Sequence, residues 1–461
     1  MTPLLQLSYS PFFCMLYIEI KEKTMSIIEP KVLKGFRDSL PAEETEKKRL
    51  FAILEKTFTS FGFAPIDTPV LEYTQVLLGK GGGETDKQIY RFTDNGDRDV
   101  SMRFDLTVPF ARFVSANLDK LPLPFKRYHI AKVWRGENTQ KGRYREFYQC
   151  DFDIVGVDSA AADLEILTMI CQSLKNIGVD GFKIHLASRQ VFNRFLAKLG
   201  IQDKLTDILR LVDKLAKIGE EEVAKQLAEI AGSNAAEKIL SYIKMEESFD
   251  KTLEKITALA GGEADDTARL CALKKALDDN GLADCFVLDP SITRGLDYYT
   301  GIVYETFLDS APEFGSVCSG GRYNNLASLY TKTQLPGVGA SIGIDRLISA
   351  LEALGKKNDN QALCDTIIFN TDEPLLGHYT KIALMLRKEG ISCDLYPEAK
   401  KLNKQFGYVE KKHIPVGIII GTDEYESGTI TVKDLRTREN FERLPLEKGI
   451  EKIKSLLNHE A

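Results

Sequence analysis

The stretch RGENTQKGRYREFYQCDFD, residues 135–153, decides the architecture that the sequence predicts. Two strand-like runs, 125–135 and 145–155, flank a polar loop at 136–144. Because side chains alternate across a strand, the second run separates into two faces. We expect an apolar face that packs into a core and an opposite face that forms a polar floor. The first face holds Tyr148, Cys150, Phe152 and Ile154, and the second holds Phe147, Gln149, Asp151 and Asp153.

This region is basic although the chain is acidic. The 461 residues carry 61 Lys+Arg against 67 Asp+Glu, a net charge of −6, yet residues 126–145 contain seven basic residues and a single acid, Glu137. A planar guanidinium group contacts two phosphate oxygens at once and stays charged. Arginines around a floor of carboxylates and an amide therefore suit a polyphosphate bound beside a zwitterion. The alternative is a solvated hairpin whose basic tip has no specific role, and these residues alone leave both interpretations open.

A second glycine-rich segment, PGVGASIGIDR at 336–346, predicts a strand, a turn and a helix. Its glycines, at 337, 339 and 343, do not have the spacing of a dinucleotide-binding fingerprint. Small residues do let a backbone approach a ligand closely, and Arg346 would then point at that ligand from the first turn of the helix. Tight helix–sheet packing with a surface arginine explains the pattern equally well.

The length of the chain predicts two or three domains. We expect a main domain at 25–355 that is interrupted at 188–285, where Leu, Ala, Lys and Glu recur at helical spacing. After a polar connector at 355–361, strands and helices alternate as in an open α/β sheet, which predicts a separate domain at 363–461.

Several classes of protein are excluded by composition. The eight cysteines are scattered and the five histidines lack ligand-like spacing, so we expect no disulfide framework, no permanently bound metal and a reduced, cytoplasmic protein. Residues 1–24 lack the basic start and the cleavage site of a signal peptide. We expect them to be a disordered or untranslated extension before Met25. An apolar run of about 20 residues, which a membrane-spanning helix needs, is missing.

Six segments together resemble the class II aminoacyl-tRNA synthetases and, among them, the histidyl-tRNA synthetase family. The resemblance covers residues 30 to about 445, and RGLDYYTG combined with GRYREFYQCDFD is its most specific part. It implies an α+β catalytic domain built on an antiparallel sheet, with a helical insertion and a C-terminal α/β anticodon-binding domain. The segments are GFRDSLP (35–41), RFDLTVPFARF (103–113), residues 135–153, RGLDYYTG (294–301), GGRYNNL (320–326) and GVGASIGIDR (337–346).

The resemblance implies a histidine–tRNA ligase that uses ATP with Mg²⁺. Such an enzyme needs no protein nucleophile, because it places the reactants in line and stabilises charge on the phosphate oxygens. By resemblance, Arg135 and Arg294 are the catalytic pair that holds the α-phosphate and the amino-acid carboxylate. Arg143 and Arg346 would hold the distal phosphates, and Glu137 would lie near the adenine or a Mg²⁺ ion.

The resemblance also implies the residues that bind histidine. Neutral imidazole has one donor and one acceptor nitrogen, so a carboxylate and a phenol satisfy it. The family pattern gives the α-ammonium group to Asp105, Thr107 and Gln149, and the imidazole to Asp153 and Tyr299 with Tyr298 alongside.

The implied partners are ATP, L-histidine, tRNA(His) and a second copy of the chain, with no membrane. By resemblance the homodimer interface includes the segment around Pro69, and the loop at Gln140 and Lys141 lies near the tRNA acceptor end. Residues 398–413, with five lysines against two glutamates, mark the other RNA candidate, although such a helix is as often only a soluble surface. Two rivals remain: the regulatory subunit of ATP phosphoribosyltransferase, and a glycyl, threonyl or prolyl synthetase, against which RGLDYYTG weighs.

Overall fold

A computed structural model describes most of the chain. Three expectations lie outside the described residues: those on the first 24 residues, on Arg294, and on the loop at Gln140 and Lys141. The described ranges are 28–79, 88–139, 142–293, 298–356 and 362–457.

Strands form three sheets in the described part of the chain. In chain order they are β1 (Ala64–Pro65), β2 (Leu71–Tyr73), β3 (Arg91–Thr93), β4 (Asp99–Met102), β5 (Phe125–Trp134), β6 (Glu146–Val155), β7 (Phe182–Ser188), β8 (Phe286–Leu288), β9 (Ile302–Leu308), β10 (Cys318–Tyr323), β11 (Gly337–Ile342), β12 (Thr366–Ile368), β13 (Cys393–Leu395), β14 (Val416–Ile419), β15 (Thr429–Asp434) and β16 (Asn440–Pro445).

The α-helices are numbered in the same way. They are α1 (Pro41–Ser60), α2 (Thr74–Leu78), α3 (Thr107–Ala116), α4 (Ala160–Ile177), α5 (Arg189–Lys198), α6 (Leu205–Val212), α7 (Leu215–Ile218), α8 (Glu220–Ala231), α9 (Ser233–Ile243), α10 (Phe249–Leu259), α11 (Asp265–Asp279), α12 (Ile344–Ala353), α13 (Leu376–Lys388), α14 (Leu402–Lys412), α15 (Thr422–Ser427) and α16 (Leu446–Leu457).

The main sheet has eight strands in the order β1-β5-β6-β11-β10-β9-β7-β8. The predicted strands at 125–135 and 145–155 are β5 and β6, which pair antiparallel over ten residues. All neighbours are antiparallel except the end pairs, β1 with β5 and β7 with β8, which are parallel. The expected antiparallel sheet is therefore confirmed for the central strands.

The apolar face of β6 packs against α1 and α4. Cys150 and Phe152 are completely buried there, and the Phe152 ring lies 4.9 Å from the ring of Phe58 on α1. Helix α4 begins after Ser159, whose hydroxyl accepts a hydrogen bond from the Ala162 N–H at 3.2 Å. This capping satisfies a backbone donor that the first turn would otherwise leave unpaired. The predicted core face of the strand is confirmed.

Residues 189–279 fold as the helices α5 to α11, so the predicted helical character of this segment is confirmed. Glycines separate several of these helices, with positive φ at Gly200 (71°), Gly219 (83°) and Gly232 (86°). Glycine adopts such angles without the steric cost that a Cβ atom brings, so the helices end there.

The C-terminal sheet has the order β13-β12-β14-β15-β16. Its first three strands are parallel, as the alternating strand–helix pattern predicts, whereas β15 and β16 are antiparallel additions. The expected α/β character of this part is confirmed, and the limits proposed for each domain stay predictions.

A small third sheet, in the order β2-β4-β3, carries the remaining strands. Its β3–β4 hairpin turns at 94–98, where the Asp94 Oδ1 atom accepts hydrogen bonds from the N–H groups of Gly96 and Arg98 at 2.9 and 3.0 Å. Apolar side chains stay exposed on and beside this sheet. They are Val70, Leu71, Tyr73 and Phe92, exposed by 39, 44, 50 and 44 %.

Candidate active site

The polar face of the main sheet forms the floor of a cavity of about 1120 Å³. Strand pairing determines which side chains meet there, because residues directly opposite in an antiparallel pair point to the same face. Asp153 on β6 lies opposite Arg127 on β5 and Gly339 on β11. Asp151 lies opposite His129 and Ser341 in the same way.

The cavity walls come from other parts of the chain. They include the segment that leads into α3, the loop before β6, the residues that lead into β9, the start of α12, and helices α5, α6 and α7 of the helical segment. Among the site residues predicted from the sequence, those that line the cavity are Thr107, Arg135, Glu137, Arg143, Gln149, Asp153, Tyr298, Tyr299 and Arg346. The structure thus brings nine separately predicted side chains to one cavity.

Asp153 is the most tightly held of these side chains. Its Oδ1 atom accepts a hydrogen bond from the Tyr323 hydroxyl at 2.6 Å, and its Oδ2 atom lies 2.6 Å from Nη2 of Arg127. Arg127 is fully buried and stacks over the Phe110 ring at 4.3 Å. Burial raises the pKa of Asp153, while the Arg127 charge and the Tyr323 hydrogen bond lower it.

Gln149 and Asp151 occupy the other two polar positions of the β6 floor. The Gln149 Nε2 atom donates to the Ser341 hydroxyl at 3.0 Å. Gln149 Oε1 and Asp151 Oδ1 are both buried and have no hydrogen-bond partner among the described residues. Burial and the neighbouring Asp153 charge raise the pKa of Asp151 to about 7, although the Arg127 guanidinium, 4.0 Å away, and the Ser341 hydroxyl lower it.

Asp105 stands behind the cavity wall, not on its lining. Its Oδ2 atom accepts a hydrogen bond from the Tyr298 hydroxyl at 3.3 Å, and its Oδ1 atom accepts one from the Val108 N–H at 3.1 Å. Burial raises the pKa of Asp105 to about 6, although the positive charge of Arg135 pulls it down. Asp105 therefore reaches the cavity through Tyr298, while Thr107, two residues later, lines it directly.

Tyr298 and Tyr299 form an aromatic wall over the floor. Their ring centroids are 4.9 Å apart in an edge-to-face arrangement, and Tyr298 also meets Tyr323 edge-to-face at 5.8 Å. Burial raises the pKa of both hydroxyls well above their usual range, so they are neutral hydrogen-bond donors. A neutral phenol next to a carboxylate is the pair that imidazole recognition requires.

The opposite end of the cavity is cationic. Arg135 donates from Nε to the Phe104 carbonyl at 2.8 Å, and its guanidinium lies over the Phe147 ring at 5.3 Å. Glu137 sits between two arginines, with its carboxylate 3.9 Å from both Arg135 Nη1 and Arg143 Nη1. At 3.9 Å these guanidinium–carboxylate pairs are too far apart for direct hydrogen bonds.

Arg346 and Asp345 begin helix α12 at the edge of this cationic end. The Asp345 carboxylate is buried and accepts from Arg37 Nη2 at 3.0 Å and from the Tyr148 N–H at 2.8 Å, while Lys47 Nζ lies 3.3 Å away. The pairing between β6 and β11 ends at Cys150, so β11 offers no backbone carbonyl to the Tyr148 N–H. The Asp345 carboxylate accepts this hydrogen bond instead. The contact fixes β6 against the helix that carries Arg346.

Fewer basic residues of the segment 126–145 line the cavity than their number predicts. Lys126 pairs with Glu165 and Lys132 with Glu146, so both face other partners. The sequence predicts that Arg145 closes one end of the site together with Arg143, but Arg145 instead donates from Nε to the Glu137 carbonyl at 3.1 Å. Its side chain packs on Gly35, outside the cavity lining, and this expectation is therefore wrong.

Four residues of the floor were not singled out from the sequence as site residues: Arg127, Asp151, Tyr323 and Ser341. For Arg127 and Asp151 a signal existed, since strand alternation places both on the face that carries Asp153. Tyr323 and Ser341 belong to the GGRYNNL and GVGASIGIDR segments. Their contacts depend on the order of strands β10 and β11 in the sheet, which the chain sequence does not reveal.

Two negative findings complete the description. Within the described ranges, His, Cys, Asp and Glu side chains form no group of three or more that could hold a metal ion. Among the same residues, none of the helices is long and apolar enough to span a membrane.

An antiparallel sheet that carries arginines at one end of its floor and carboxylates with phenols at the other defines a class II aminoacyl-tRNA synthetase, an aminoacyl-tRNA ligase. The histidyl-tRNA synthetase family profile matches residues 35–347, and an anticodon-binding domain profile matches residues 365–456. The chain belongs to the histidyl-tRNA synthetase family.

Individual relatives support this assignment along nearly the whole chain. A histidine–tRNA ligase of Treponema denticola is 50% identical over 446 residues, which cover 94% of this chain and 99% of the relative. One from Rhodopirellula baltica is 47% identical and covers 90% and 95%. The crystal structure of histidyl-tRNA synthetase from Nostoc sp. is 31% identical, with a TM-score of 0.82 over 93% of this chain and 99% of that one. The predicted family and fold class are confirmed.

Proposed function

We propose that this chain activates L-histidine with ATP and transfers the histidyl group to the 3′ end of tRNA(His), releasing AMP and pyrophosphate. The observation that carries the proposal is a single cavity with opposite charge at its two ends: Arg135 and Arg143 line one end and Asp153 with Tyr299 lines the other. The cavity volume of about 1120 Å³ suits a nucleotide and an amino acid together, since single-ligand pockets measure roughly 300–1,000 Å³.

In the first step the histidine carboxylate attacks the α-phosphorus of ATP, a P–O bond forms, and pyrophosphate leaves with the electrons of the bond that breaks. Arg135 lies where its guanidinium can hold both the carboxylate and an α-phosphate oxygen, because its Nε is already fixed on the Phe104 carbonyl. Arg294, outside the described residues, is proposed as its partner. Preorganised donors of this kind stabilise the charge that grows in the transition state.

Histidine specificity rests on the anionic end. Asp153 would accept the imidazole N–H with a lone pair that its two protein contacts leave free, and the Tyr299 hydroxyl would donate to the other ring nitrogen. Thr107 and Gln149 line the side where the α-ammonium group would lie, with Asp105 acting through Tyr298. An amino acid without the ring nitrogens would leave these buried groups unpaired, at a cost of about 1–3 kcal/mol each.

The distal phosphates would meet Arg143 and Arg346 at the cationic end. Mg²⁺ is commonly held by one or two carboxylates together with substrate phosphates. Glu137 and Glu305 both line the cavity and fit that requirement. When bound with ATP, the ion neutralises phosphate charge. The Phe147 ring beneath Arg135 offers a flat surface for the adenine.

For tRNA, we propose contacts through the C-terminal domain. On and beside α14 the side chains of Lys401, Lys404 and Lys411 are exposed, whereas Lys412 is tied to Asp394 at 2.7 Å. Three exposed lysine side chains on one short segment provide a local electrostatic contact for RNA, while the acidic net charge of the chain disfavours non-specific binding of nucleic acid.

We further propose that the chain works in the cytoplasm as a homodimer. The exposed apolar side chains Val70, Leu71, Tyr73 and Phe92 form a patch on the small sheet, next to Pro69. A contiguous apolar patch of this kind is typical of a protein–protein contact. Analytical ultracentrifugation of the full chain tests this, and Leu71→Asp should shift it toward the monomer.

The enzymatic proposal is tested by amino-acid-dependent exchange of labelled pyrophosphate into ATP. Exchange should require L-histidine, and Arg294→Ala should lower it about 100-fold or more without changing the melting temperature. Histidine binding without exchange would indicate a regulatory protein instead, and exchange with glycine, threonine or proline would indicate a different synthetase.

A further inference from the structure

The cavity floor contains one carboxylate for which the proposed mechanism has no use. Asp151 lies on the pocket-facing side of β6, between Gln149 and Asp153, and is only 1% exposed. Its Oδ1 atom is buried and has no hydrogen-bond partner among the described residues. Leaving a carboxylate oxygen buried and unpaired is costly, so such an atom in a ligand cavity indicates a missing donor.

We propose that Asp151 binds the α-ammonium group of the substrate amino acid and supplies its counter-charge. The inference rests on the proposed function, which makes the ligand of this cavity an amino acid. Asp151 lines the cavity and can contact the substrate directly, whereas Asp105 stands behind Tyr298.

The number of acceptors agrees with the chemistry of an ammonium group. A primary ammonium has three N–H donors. Three side chains that line the cavity carry such acceptors: the Thr107 hydroxyl, Gln149 Oε1 and Asp151 Oδ1. The last two have no hydrogen-bond partner among the described residues, and Asp153 Oδ2, which also lacks one, has its ion pair with Arg127. Gln149 and Asp151 are alternate residues of one strand, about 7 Å apart along it, so that both side chains can lean toward a group between them.

The distribution of charge also favours Asp151 over Asp153 for this role. Asp153 already has a cation, since Arg127 Nη2 lies 2.6 Å from its Oδ2, and it has a hydroxyl donor in Tyr323. The same Arg127 nitrogen is 4.0 Å from Asp151. One guanidinium thus faces two carboxylates, and it makes a close contact with only one of them.

The other groups around Asp151 leave its Oδ1 atom without a hydrogen bond. The positive charge of Arg103 acts on Asp151, but the Arg103 Nε and Nη1 atoms donate to the Lys132 and Thr68 carbonyls. On β5, burial together with Arg127 and Arg103 lowers the pKa of His129 to about 3, so its ring is neutral. On β11, Ser341 offers only a hydroxyl, and the nearby Asp105 is a further carboxylate. Tyr298 and Tyr299 are neutral phenols. In the absence of ligand, burial raises the pKa of Asp151 to about 7, as expected of a carboxylate that awaits a cation.

The test compares ligands that differ by one group. L-Histidine carries ammonium, carboxylate and imidazole; histamine lacks the carboxylate; and 3-(imidazol-4-yl)propionate lacks the ammonium. Binding of all three to the full chain is measured by calorimetry, with displacement of L-histidine for the weaker ligands. The variants are Asp151→Asn, which keeps the side-chain shape, and the matched control Asp153→Asn, two residues along the same face.

Asp151→Asn should weaken L-histidine and histamine by about 10- to 100-fold, the range for a hydrogen bond to a charged group, and leave imidazolepropionate unchanged. Asp153→Asn should weaken all three ligands, because all three carry imidazole. Equal weakening of imidazolepropionate in Asp151→Asn would place Asp151 at the imidazole and overturn the proposal, as would unchanged binding of all three ligands.

Two further measurements keep the outcome unambiguous. Thermal melting confirms that each variant folds, and Asp151→Ser provides a second substitution at the same position for the same comparison. Failure of the unaltered chain to bind L-histidine would overturn the proposed function itself. If the unaltered chain binds L-histidine and Asp151→Asn binds it equally well, only this inference is overturned.

Discussion

Replacing Gly339 by alanine should disable histidine recognition specifically. Gly339 lies on β11 directly opposite Asp153. A Cβ atom built on it would lie 1.9 Å from Asp153 Oδ1, 2.3 Å from Asp153 Cγ and 2.7 Å from the Phe152 carbonyl oxygen. Non-bonded carbon contacts are favourable at roughly 3.5–4 Å, so the Asp153 carboxylate must move by more than 1 Å. The strand itself cannot retreat, because its other edge is paired with β10.

The magnitude follows from the contacts that such a movement breaks. Asp153 would lose its 2.6 Å hydrogen bond from Tyr323 and its 2.6 Å ion pair with Arg127. Breaking a buried pair costs about 3–5 kcal/mol, so the melting temperature should fall. Losing the imidazole acceptor should raise KM for histidine by about 5- to 150-fold, the equivalent of one unmade buried hydrogen bond. KM for ATP should hardly change, since the cationic end is untouched.

Pyrophosphate exchange measured against both substrates separates these effects. Gly343→Ala is the matched control, because it lies just beyond the same strand and its added Cβ would find only the Val317 carbonyl at an ordinary 3.6 Å. The control should keep the melting temperature and the KM for histidine of the unaltered chain, because it lies away from Asp153. A Gly339→Ala enzyme with an unchanged KM for histidine would refute the role given to Asp153, whatever its melting temperature.

Three other perturbations test separate parts of the site. Because the pKa of Asp151 is raised to about 7 in the folded chain without ligand, the chain loses stability as the pH rises from about 4 through 7. Asp151→Asn removes this loss. In urea unfolding, the substitution should therefore increase the free energy of unfolding by a few kcal/mol at pH 8 and by little at pH 4. Arg127→Met leaves Asp153 buried without its cation, so it should raise KM for histidine and not KM for ATP. Arg127→Lys keeps a positive charge and should restore KM for histidine in part. Asp345→Ala should raise KM for ATP about 10-fold and leave KM for histidine unchanged, because it frees β6 from the Arg346 helix at Tyr148; equal changes in both constants would contradict this.

Much of the fold could be predicted because its signals are local. Alternation of apolar and polar residues at 146–155 predicts both faces of β6. The Asn95-Gly96 pair is typical of a tight hairpin turn, and it lies between β3 and β4. Glycines that adopt positive φ mark the ends of helices in the segment 189–279. Each of these signals lies within a few residues of the structure that it specifies, so no knowledge of the sheet order is needed.

The site was less predictable where its properties depend on residues that are distant along the chain. Counting charges along 126–145 treats every basic residue as available, yet Arg127 is buried beneath Asp153 and Arg145 packs against Gly35. Whether a cation faces a ligand or a neighbouring carboxylate depends on which strand lies beside it. The proximity of Tyr323 to Asp153, 170 positions earlier in the chain, is fixed only by the sheet order β6-β11-β10.

The floor strand itself orients the substrate before any chemistry occurs. Along one face of β6 the side chains change from Phe147 beneath the Arg135 guanidinium to Gln149, Asp151 and Asp153. An amino acid carries an ammonium and a carboxylate group on the same carbon atom, so with the proposed roles this change of sign would favour a single orientation, with the ammonium toward Asp151 and the carboxylate toward Arg135. The carboxylate is thereby placed at the end where the triphosphate binds, which is the geometry that attack on the α-phosphorus requires. A reversed amino acid would put its carboxylate beside two buried carboxylates that share one arginine, and that repulsion excludes it.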